Sequence, residues 1–218
     1  MANLRSDCRL CNALSASVPA EFDRPVLECD GHVAIASLGA LVEGWSLVLP
    51  KRHVLSVRHL EPSEMPELEA FLARAKRHVE TVYGPSVLFE HGPSHARTRV
   101  GCGVDHAHVH VVPWDRPGLV DVVTRECPSL AWASASTLAD AHHLVPADTP
   151  YVWLCTPERA AVGWGSRVPS QLVRRVMAQE LGVPTEFDWR TYPREERVLA
   201  AIEALRQTRP ALAFGPKA

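Results

Sequence analysis

The sequence predicts an α+β fold, an antiparallel sheet meander with helices, followed by a mixed α/β C-terminal extension packed on it. Three observations support this prediction. Residues 106–112 alternate histidine with apolar side chains, as a strand with one buried face does. An Asp-Gly pair at residues 30–31 separates two segments of strand length, which is typical of a hairpin. Residues 66–83 carry apolar side chains at helical spacing.

The elements of the first half follow from turn residues and periodicity. Asp30-Gly31 readily takes the positive φ of a two-residue turn, and Pro50 stops the strand before it. Ser63 is a suitable cap for the long helix, which a Gly-Pro pair ends. The predicted elements are a cysteine-containing turn at 8–14, strands at 25–29, 32–36, 45–49 and 86–90, a helix at 66–83, a glycine-containing loop at 91–103 and the histidine strand at 106–112.

The second half is predicted to contain a hairpin and two helices. Residues 115–129 read as irregular, and residues 151–155 and 160–163 as the hairpin. A helix at 171–181 is capped by Ser170 and closed by Gly182, a further helix spans 193–207, and His142-His143 reads as a polar turn. Each helix has an apolar stripe that must be covered. We therefore expect the extension to pack on the first half, in its own chain or across a two-fold axis.

Composition narrows the classes of partner. The 218 residues are 46% hydrophobic, enough for one large domain or a domain with an appendage. A formal charge of −2 argues against electrostatic binding of nucleic acid. The sequence holds no apolar run of membrane-spanning length and no apolar signal core at its start. We therefore expect a cytoplasmic protein that binds neither nucleic acid nor a membrane.

The alternation at residues 106–111 gives the predicted strand two unlike faces. Apolar residues at 107, 109 and 111 form the face that packs into a core, and the other face carries three imidazoles, those of His106, His108 and His110. Imidazole is near neutral at physiological pH and can act as a nucleophile, a proton donor or a metal ligand. The pattern therefore indicates phosphate chemistry or metal binding, with a histidine-rich surface strand as the alternative.

A second motif is the Cys-x-x-Cys pair Cys8 and Cys11. In a cytosolic chain such a pair indicates a metal site or a redox site. The redox version expects the pair to open a helix after a strand, a context that this sequence does not predict. Together with two histidines the pair would complete a tetrahedral zinc site, although so short a motif also arises by chance.

Taken together, these motifs resemble those of the histidine triad (HIT) superfamily, whose mark is His-x-His-x-His followed by two apolar residues. Residues 106–112 carry that mark, and residues 44–53 resemble the family's strand that ends in Pro-Lys-x-His. Cys8 and Cys11 resemble the paired cysteines of many bacterial members. The resemblance implies a HIT-like catalytic domain at 1–114 and a C-terminal extension at 115–218. Residues 170–175 and 187–190 resemble an extension found in certain longer bacterial members.

The resemblance also implies a function. His108 would attack the α-phosphorus of a nucleotide and form a covalent nucleotidyl-histidine, while His110 would contact the phosphate or assist proton transfer. Structural zinc would be bound by Cys8, Cys11, His53 and His106. We expect a homodimeric nucleotide hydrolase that cleaves a phosphoanhydride, phosphoramidate or similar bond. The alternatives are a nucleotidyltransferase or phosphorylase with the same intermediate, and a non-catalytic nucleotide-binding scaffold.

The sequence departs from the family pattern at the expected substrate contacts. Gly101, Cys102 and Gly103 hold the places of a Gly-Gln-Ser segment, and their backbone N–H groups would contact phosphate. Ser37 stands near the usual position of a ribose-binding acid, and Glu90 near that of an asparagine.

Other groups have a functional and a structural interpretation. The region of Gln171 and Arg174–Arg175 would supply contacts that replace the missing hydroxyl and amide, unless both arginines are solvent-facing charges. Arg97 and Arg99 are expected to be solvated, His91 and His95 to be loop histidines, and Trp189 to be a core or dimer contact.

Overall fold

The structure of the protein, a computed structural model, describes residues 7–97 and 103–208. These residues form an eight-stranded sheet in which every paired strand is antiparallel to its neighbour. The strands in chain order are β1 (Pro25–Glu28), β2 (His32–Ala36), β3 (Ser46–Pro50), β4 (Ser86–Gly92), β5 (Val109–Pro113), β6 (Ala131–Ser134), β7 (Tyr151–Cys155) and β8 (Ala160–Trp164). Across the sheet their order is β1-β2-β3-β5-β4-β7-β8-β6.

Helices cover both faces of this sheet. Among the described residues they are α1 (Arg9–Ser15), α2 (Met65–Tyr83), α3 (Leu119–Glu126), α4 (Leu138–Leu144), α5 (Leu172–Glu180) and α6 (Glu195–Gln207), with short 3-10 turns at Glu21–Asp23 and Val57–His59. None of these helices is both long and apolar enough to cross a membrane. On one face, α2 and α4 pack against Val109 and Val111 of β5. On the opposite face, α3 and α5 pack against Val112.

The extension continues the sheet of the first half. Strand β7 pairs with β4, so that Glu90 lies opposite Trp153 and Leu88 opposite Cys155. Strands β8 and β6 then extend the sheet beyond β7. The edge of β4 is therefore paired within the chain, and a homodimer that extends the sheet would have to use β1 or β6.

Most predicted elements are present, with some differences in the first half. Residues 8–14 lie mainly in α1, with Cys8 as its N-cap residue, instead of forming only a turn. Glu64 precedes the first residue of α2, so Ser63 is not its cap. Strand β4 runs on to Gly92, where a loop was expected. The hydrogen-bonded part of the histidine strand begins at Val109, because the backbone before it pairs instead with the residues after β3.

The second half differs in helices that the sequence reading missed. The segment expected to be irregular contains α3, whose apolar residues Leu119, Val120 and Val123 are buried. The expected polar turn at His142-His143 lies in α4, which a capping box of Thr137 and Asp140 begins. Gln171, in a left-handed conformation, occupies the capping position expected for Ser170.

Candidate functional site

Four side chains from three parts of the chain converge beside α1. Cys8 and Cys11 come from α1, His53 follows β3, and His106 precedes β5. The Sγ of Cys11 lies 3.2 Å from His53 Nδ1 and 3.4 Å from His106 Nδ1, and the Sγ of Cys8 lies 3.5 Å from His106 Nδ1. All four donor atoms lie within 4.8 Å of one another. The structure thus brings together the four residues expected to bind zinc.

This arrangement fits a tetrahedral metal ion. Zinc binds sulfur at about 2.3 Å and imidazole nitrogen at about 2.0 Å, which places neighbouring ligand atoms roughly 3.5 Å apart. The Nε2–H of His106 donates to the carbonyl of Pro50 at 2.8 Å, so its Nδ1 carries the lone pair that faces both sulfurs. Burial lowers the pKa of His106 to about 4, which keeps this ring neutral and ready to bind a metal.

The backbone explains how distant residues meet here. The N–H of Ala107 donates to the carbonyl of Val54 at 2.7 Å, which holds the segment before β5 beside the segment after β3. On α1, Leu10 is buried against Val33 and Leu47 of the sheet. This packing brings the two cysteines of α1 to the histidines of the sheet.

The other two histidines of the triad occupy defined tautomers. The Nδ1–H of His108 donates to the carbonyl of His106 at 2.6 Å, so Nε2 carries the lone pair. The indole N–H of Trp45 donates to Nδ1 of His110 at 2.9 Å, so the ring proton of a neutral His110 lies on Nε2. The pair therefore offers one nucleophilic nitrogen and one N–H donor.

Both rings are buried among aromatic side chains rather than exposed on a polar face. His110 stacks on Phe89 with ring centroids 4.1 Å apart, and it lies 4.9 Å from the ring of His108. Burial is the main cause that lowers the pKa of both His108 and His110, and the charge of Arg174 lowers them further. The two imidazoles are therefore neutral at physiological pH.

Arg174 of α5 is the extension's contribution to this region. Its side chain is only 1% exposed, so the solvent-facing interpretation is wrong for this residue. Its guanidinium donates to the carbonyls of Phe187 at 2.9 Å and Gly39 at 2.5 Å, and lies 4.6 Å from the ring centroid of Trp45. The neighbouring Arg175 is exposed and lies 3.7 Å from the ring centroid of Phe187.

A small cavity lies against the triad. Its volume of about 30 Å³ is room for roughly one or two water molecules, so binding of a larger ligand requires a surrounding segment to move. The side chains that cover it come from α1 and from the segment after α5. The cavity is lined by Arg9, Leu10, Ser37, Leu38, Leu47, Val104, His108, His110, Arg174 and Trp189.

The expected substrate contacts divide into three groups. Ser37 lines the cavity beside His108 and His110. Gly101 and Cys102 lie outside the described residues. Gly103 has a φ of +73°, and its carbonyl accepts a hydrogen bond from Arg190. Gly103 lines an open depression next to the cavity.

The structure does not bring Glu90 to the triad. Glu90 points to the opposite face of the sheet, where its carboxylate accepts hydrogen bonds from the hydroxyl of Tyr151 at 2.6 Å and the N–H of Val57 at 2.7 Å. Side chains alternate along β4, so Phe89 and His91 face the triad and Glu90 cannot. The expected role of Glu90 as a substrate contact is thus corrected to a buried structural role.

The buried carboxyl of Glu90 carries a prediction about stability. Burial raises its pKa from 4.5 to about 7, so between these values the folded protein holds a proton that the unfolded chain has lost. Stability linked to this group therefore falls as pH rises from about 4.5 to about 7. Glu90→Gln removes that loss. The free energy of unfolding of Glu90→Gln relative to wild type should rise between pH 5 and pH 8, by up to about 3 kcal/mol.

Chemical denaturation at a series of pH values measures this difference. Glu158→Gln, at an exposed position in the turn between β7 and β8, is the control and should show no such trend. A stability difference for Glu90→Gln that stays constant from pH 5 to pH 8 would contradict the prediction.

Sequence reasoning missed two members of this region. His91 lies in β4, not in a loop, and its ring packs edge-on against Phe89 with centroids 5.5 Å apart. Burial lowers the pKa of His91 to about 3, with smaller contributions from His108 and Arg174. Trp189 lines the cavity and is not only a core contact. The alternation of Phe89 and His91 with Glu90 along β4 could have predicted that His91 faces the triad. No local pattern in the sequence predicts the position of Trp189.

One protein family matches the part of the chain that carries the triad. The model of the HIT domain family matches residues 21–116. A protein of Mycobacterium tuberculosis named an uncharacterized HIT-like protein is 28% identical over 109 residues, which are 49% of this chain and 70% of that protein.

Two solved structures of other proteins resemble about half of this chain. A Hit-like protein from Bartonella henselae, described as involved in cell-cycle regulation, is 14% identical with a TM-score of 0.43. The match covers 51% of this chain and 83% of that protein's chain. A Zn-bound histidine triad family protein from Mycobacterium smegmatis is 23% identical with a TM-score of 0.41. That match covers 52% of this chain and 78% of the other protein's chain.

The family match and the site coincide. The matched segment holds His53 and all three histidines of the triad, whereas the two cysteines of α1 and Arg174 lie outside it. It contributes five neighbouring strands of the sheet, β1–β5, and the extension supplies the other three. The chain therefore carries a segment that matches the HIT domain family, and its C-terminal extension continues the sheet of that segment.

Proposed function

We propose that the protein is a nucleotide hydrolase that cleaves a bond at the α-phosphate through a covalent nucleotidyl-His108. The observation that carries the proposal is the hydrogen bond from His108 Nδ1–H to the carbonyl of His106. It fixes the tautomer in which Nε2 holds the lone pair, and burial keeps the ring neutral. A neutral, oriented imidazole nitrogen is the form of histidine that can attack phosphorus.

The reaction proceeds in two displacements. In the first, Nε2 of His108 forms a bond to the α-phosphorus, and the bond from phosphorus to the leaving group breaks with its electron pair. In the second, water forms a bond to phosphorus, loses a proton, and the bond from phosphorus to Nε2 breaks. Each displacement is easier than a single direct hydrolysis. The product is a nucleoside monophosphate.

The neighbouring groups orient this chemistry. The Nε2–H of His110 would donate to a non-bridging oxygen of the phosphoryl group, where charge builds as His108 attacks. Trp45 fixes the ring of His110 for that role through its indole N–H. Stacking on Phe89 holds the same ring in its plane.

Zinc fits the cluster beside α1. Cys8, Cys11, His53 and His106 would hold it. When bound, it would supply a structural cross-link between α1, the segment after β3 and the backbone that leads into β5. Because the carbonyl of His106 accepts the hydrogen bond from His108, the metal site also supports the orientation of the proposed nucleophile.

A nucleotide-binding scaffold is the second candidate. The observation in its favour is that Cys102 and Gly103 stand where the family pattern has glutamine and serine, so the amide and hydroxyl expected to contact the phosphoryl group are absent. A scaffold would bind nucleotides without releasing products.

Hydrolysis in ¹⁸O-labelled water separates these possibilities. The substrates are dinucleoside polyphosphates, which contain phosphoanhydride bonds, and nucleoside phosphoramidates. We expect the label in the released nucleoside monophosphate, because water attacks the α-phosphorus in the second displacement. Mass spectrometry of both products gives the position of the label. Label in the leaving group would contradict attack at the α-phosphorus, and binding without release above the buffer rate would support the scaffold.

A further inference from the structure

A buried cation lies against the triad and comes from the extension, not from the matched HIT domain. Arg174 lines the same cavity as His108, His110 and Ser37, although it lies 66 residues beyond His108 in the chain. Helix α5 reaches this position because it packs on the triad face of the sheet, against Val112 and its neighbours. The cavity wall is therefore built from both halves of the chain.

The guanidinium of Arg174 is held in place by several parts of the chain. Backbone carbonyls of Gly39 and Phe187 accept its hydrogen bonds, and its plane lies near the ring of Trp45. Gly39 has a φ of +71°, and a Cβ added there would lie 3.0 Å from Arg174 Nη2 and 2.3 Å from the Cβ of Trp189. Glycine at this position thus permits the close approach. Because it is already fixed, the guanidinium needs little reorganisation to bind a ligand.

The charge of Arg174 acts on the triad. Its guanidinium lines the same small cavity as His108 and His110, so a fixed positive charge stands beside both rings. A positive charge in a buried cavity favours binding of an anion. A guanidinium carries five N–H donors, so it can bind an anionic oxygen while other N–H groups donate to backbone carbonyls.

We propose that Arg174 binds the non-bridging oxygens of the transferred phosphoryl group, so that the extension completes the active site of its own chain. This inference rests on the proposed function and names the group that replaces the hydroxyl and amide missing before His108. It assigns the role to Arg174 and not to Arg175, which is exposed and stacks on Phe187 outside the cavity. The ligand class is a phosphoryl group attached to a nucleoside.

The test compares Arg174→Met and Arg174→Lys with Arg175→Met. Calorimetry measures the affinities of the nucleoside monophosphates and of the matching nucleosides. Wild type should bind a monophosphate more tightly than its nucleoside. Arg174→Met should lose most of that preference and keep its affinity for the nucleoside, whereas Arg175→Met should keep both. A wild type without the preference, or Arg174→Met with the preference intact, would overturn the inference.

Arg174→Lys covers the case in which Arg174→Met fails to fold, because lysine keeps the charge but not the planar fork. Its melting curve should resemble that of wild type, while kcat for the reaction falls by about 100-fold, the effect of losing one donor to a developing oxyanion. A folded Arg174→Lys protein with wild-type kcat and wild-type monophosphate preference would also overturn the inference. If wild type binds monophosphates but releases no product, the hydrolase proposal fails while the binding comparison still decides the role of Arg174.

Discussion

His108→Gly is expected to lower turnover at least about a thousandfold, because it removes the nitrogen that forms the covalent intermediate. Nucleotide binding should persist, since Arg174, His110 and Ser37 still line the cavity. His108 is buried, so a moderate fall in melting temperature should accompany the loss. Steady-state kinetics with a nucleotide substrate, together with calorimetric binding of the product, separates the two effects.

His143→Ala is the matched control, because His143 is an exposed histidine on α4, an element that packs against the opposite face of the sheet. It should show wild-type turnover and wild-type binding. Full activity in His108→Gly or His108→Ala would contradict the covalent mechanism.

Removal of the metal site is expected to have the second large effect. Protein purified without added metal should contain about one zinc per chain from the four-ligand site. The double variant Cys8→Ser/Cys11→Ser should lose that zinc and melt at a temperature lower by roughly 10 °C, because α1 is then no longer tied to His53 and His106. Acid should release the metal as well, since thiolate and imidazole ligands must be deprotonated to bind it.

Elemental analysis and thermal melting measure the two outcomes. Cys155→Ser is the matched control, because Cys155 lies in β7, a strand of the extension. That variant should keep its zinc. A Cys8→Ser/Cys11→Ser protein with unchanged metal content and melting temperature would show that these cysteines are not ligands.

Alternation along the histidine strand was sufficient to predict which residues share a face. It placed His108 and His110 together, and the structure has both rings lining one cavity. The same rule separates Glu90 from His91 on β4, yet Glu90 was expected at the site from its position in a motif. Motif position describes the order along the chain, whereas the pleat of the strand decides which side chain reaches the site.

The contribution of the extension depends on contacts that no local pattern reveals. Pairing of β4 with β7 joins two segments about 60 residues apart, and strand partners over such distances are not specified by periodicity. Helix α5 packs on the extended sheet, and its residues are buried around most of its circumference. An arginine on such a helix is buried, although the charged pair Arg174–Arg175 alone reads as a solvated surface.

The most direct test of the central claim is to trap the nucleotidyl-histidine. Wild-type protein is mixed with a nucleotide labelled at the α-phosphate and quenched in base, where phosphoramidates survive better than in acid, and the labelled peptide is sequenced by mass spectrometry. We expect label on His108 during turnover and none in His108→Gly. Turnover without covalent label, or label on a different residue, would contradict it.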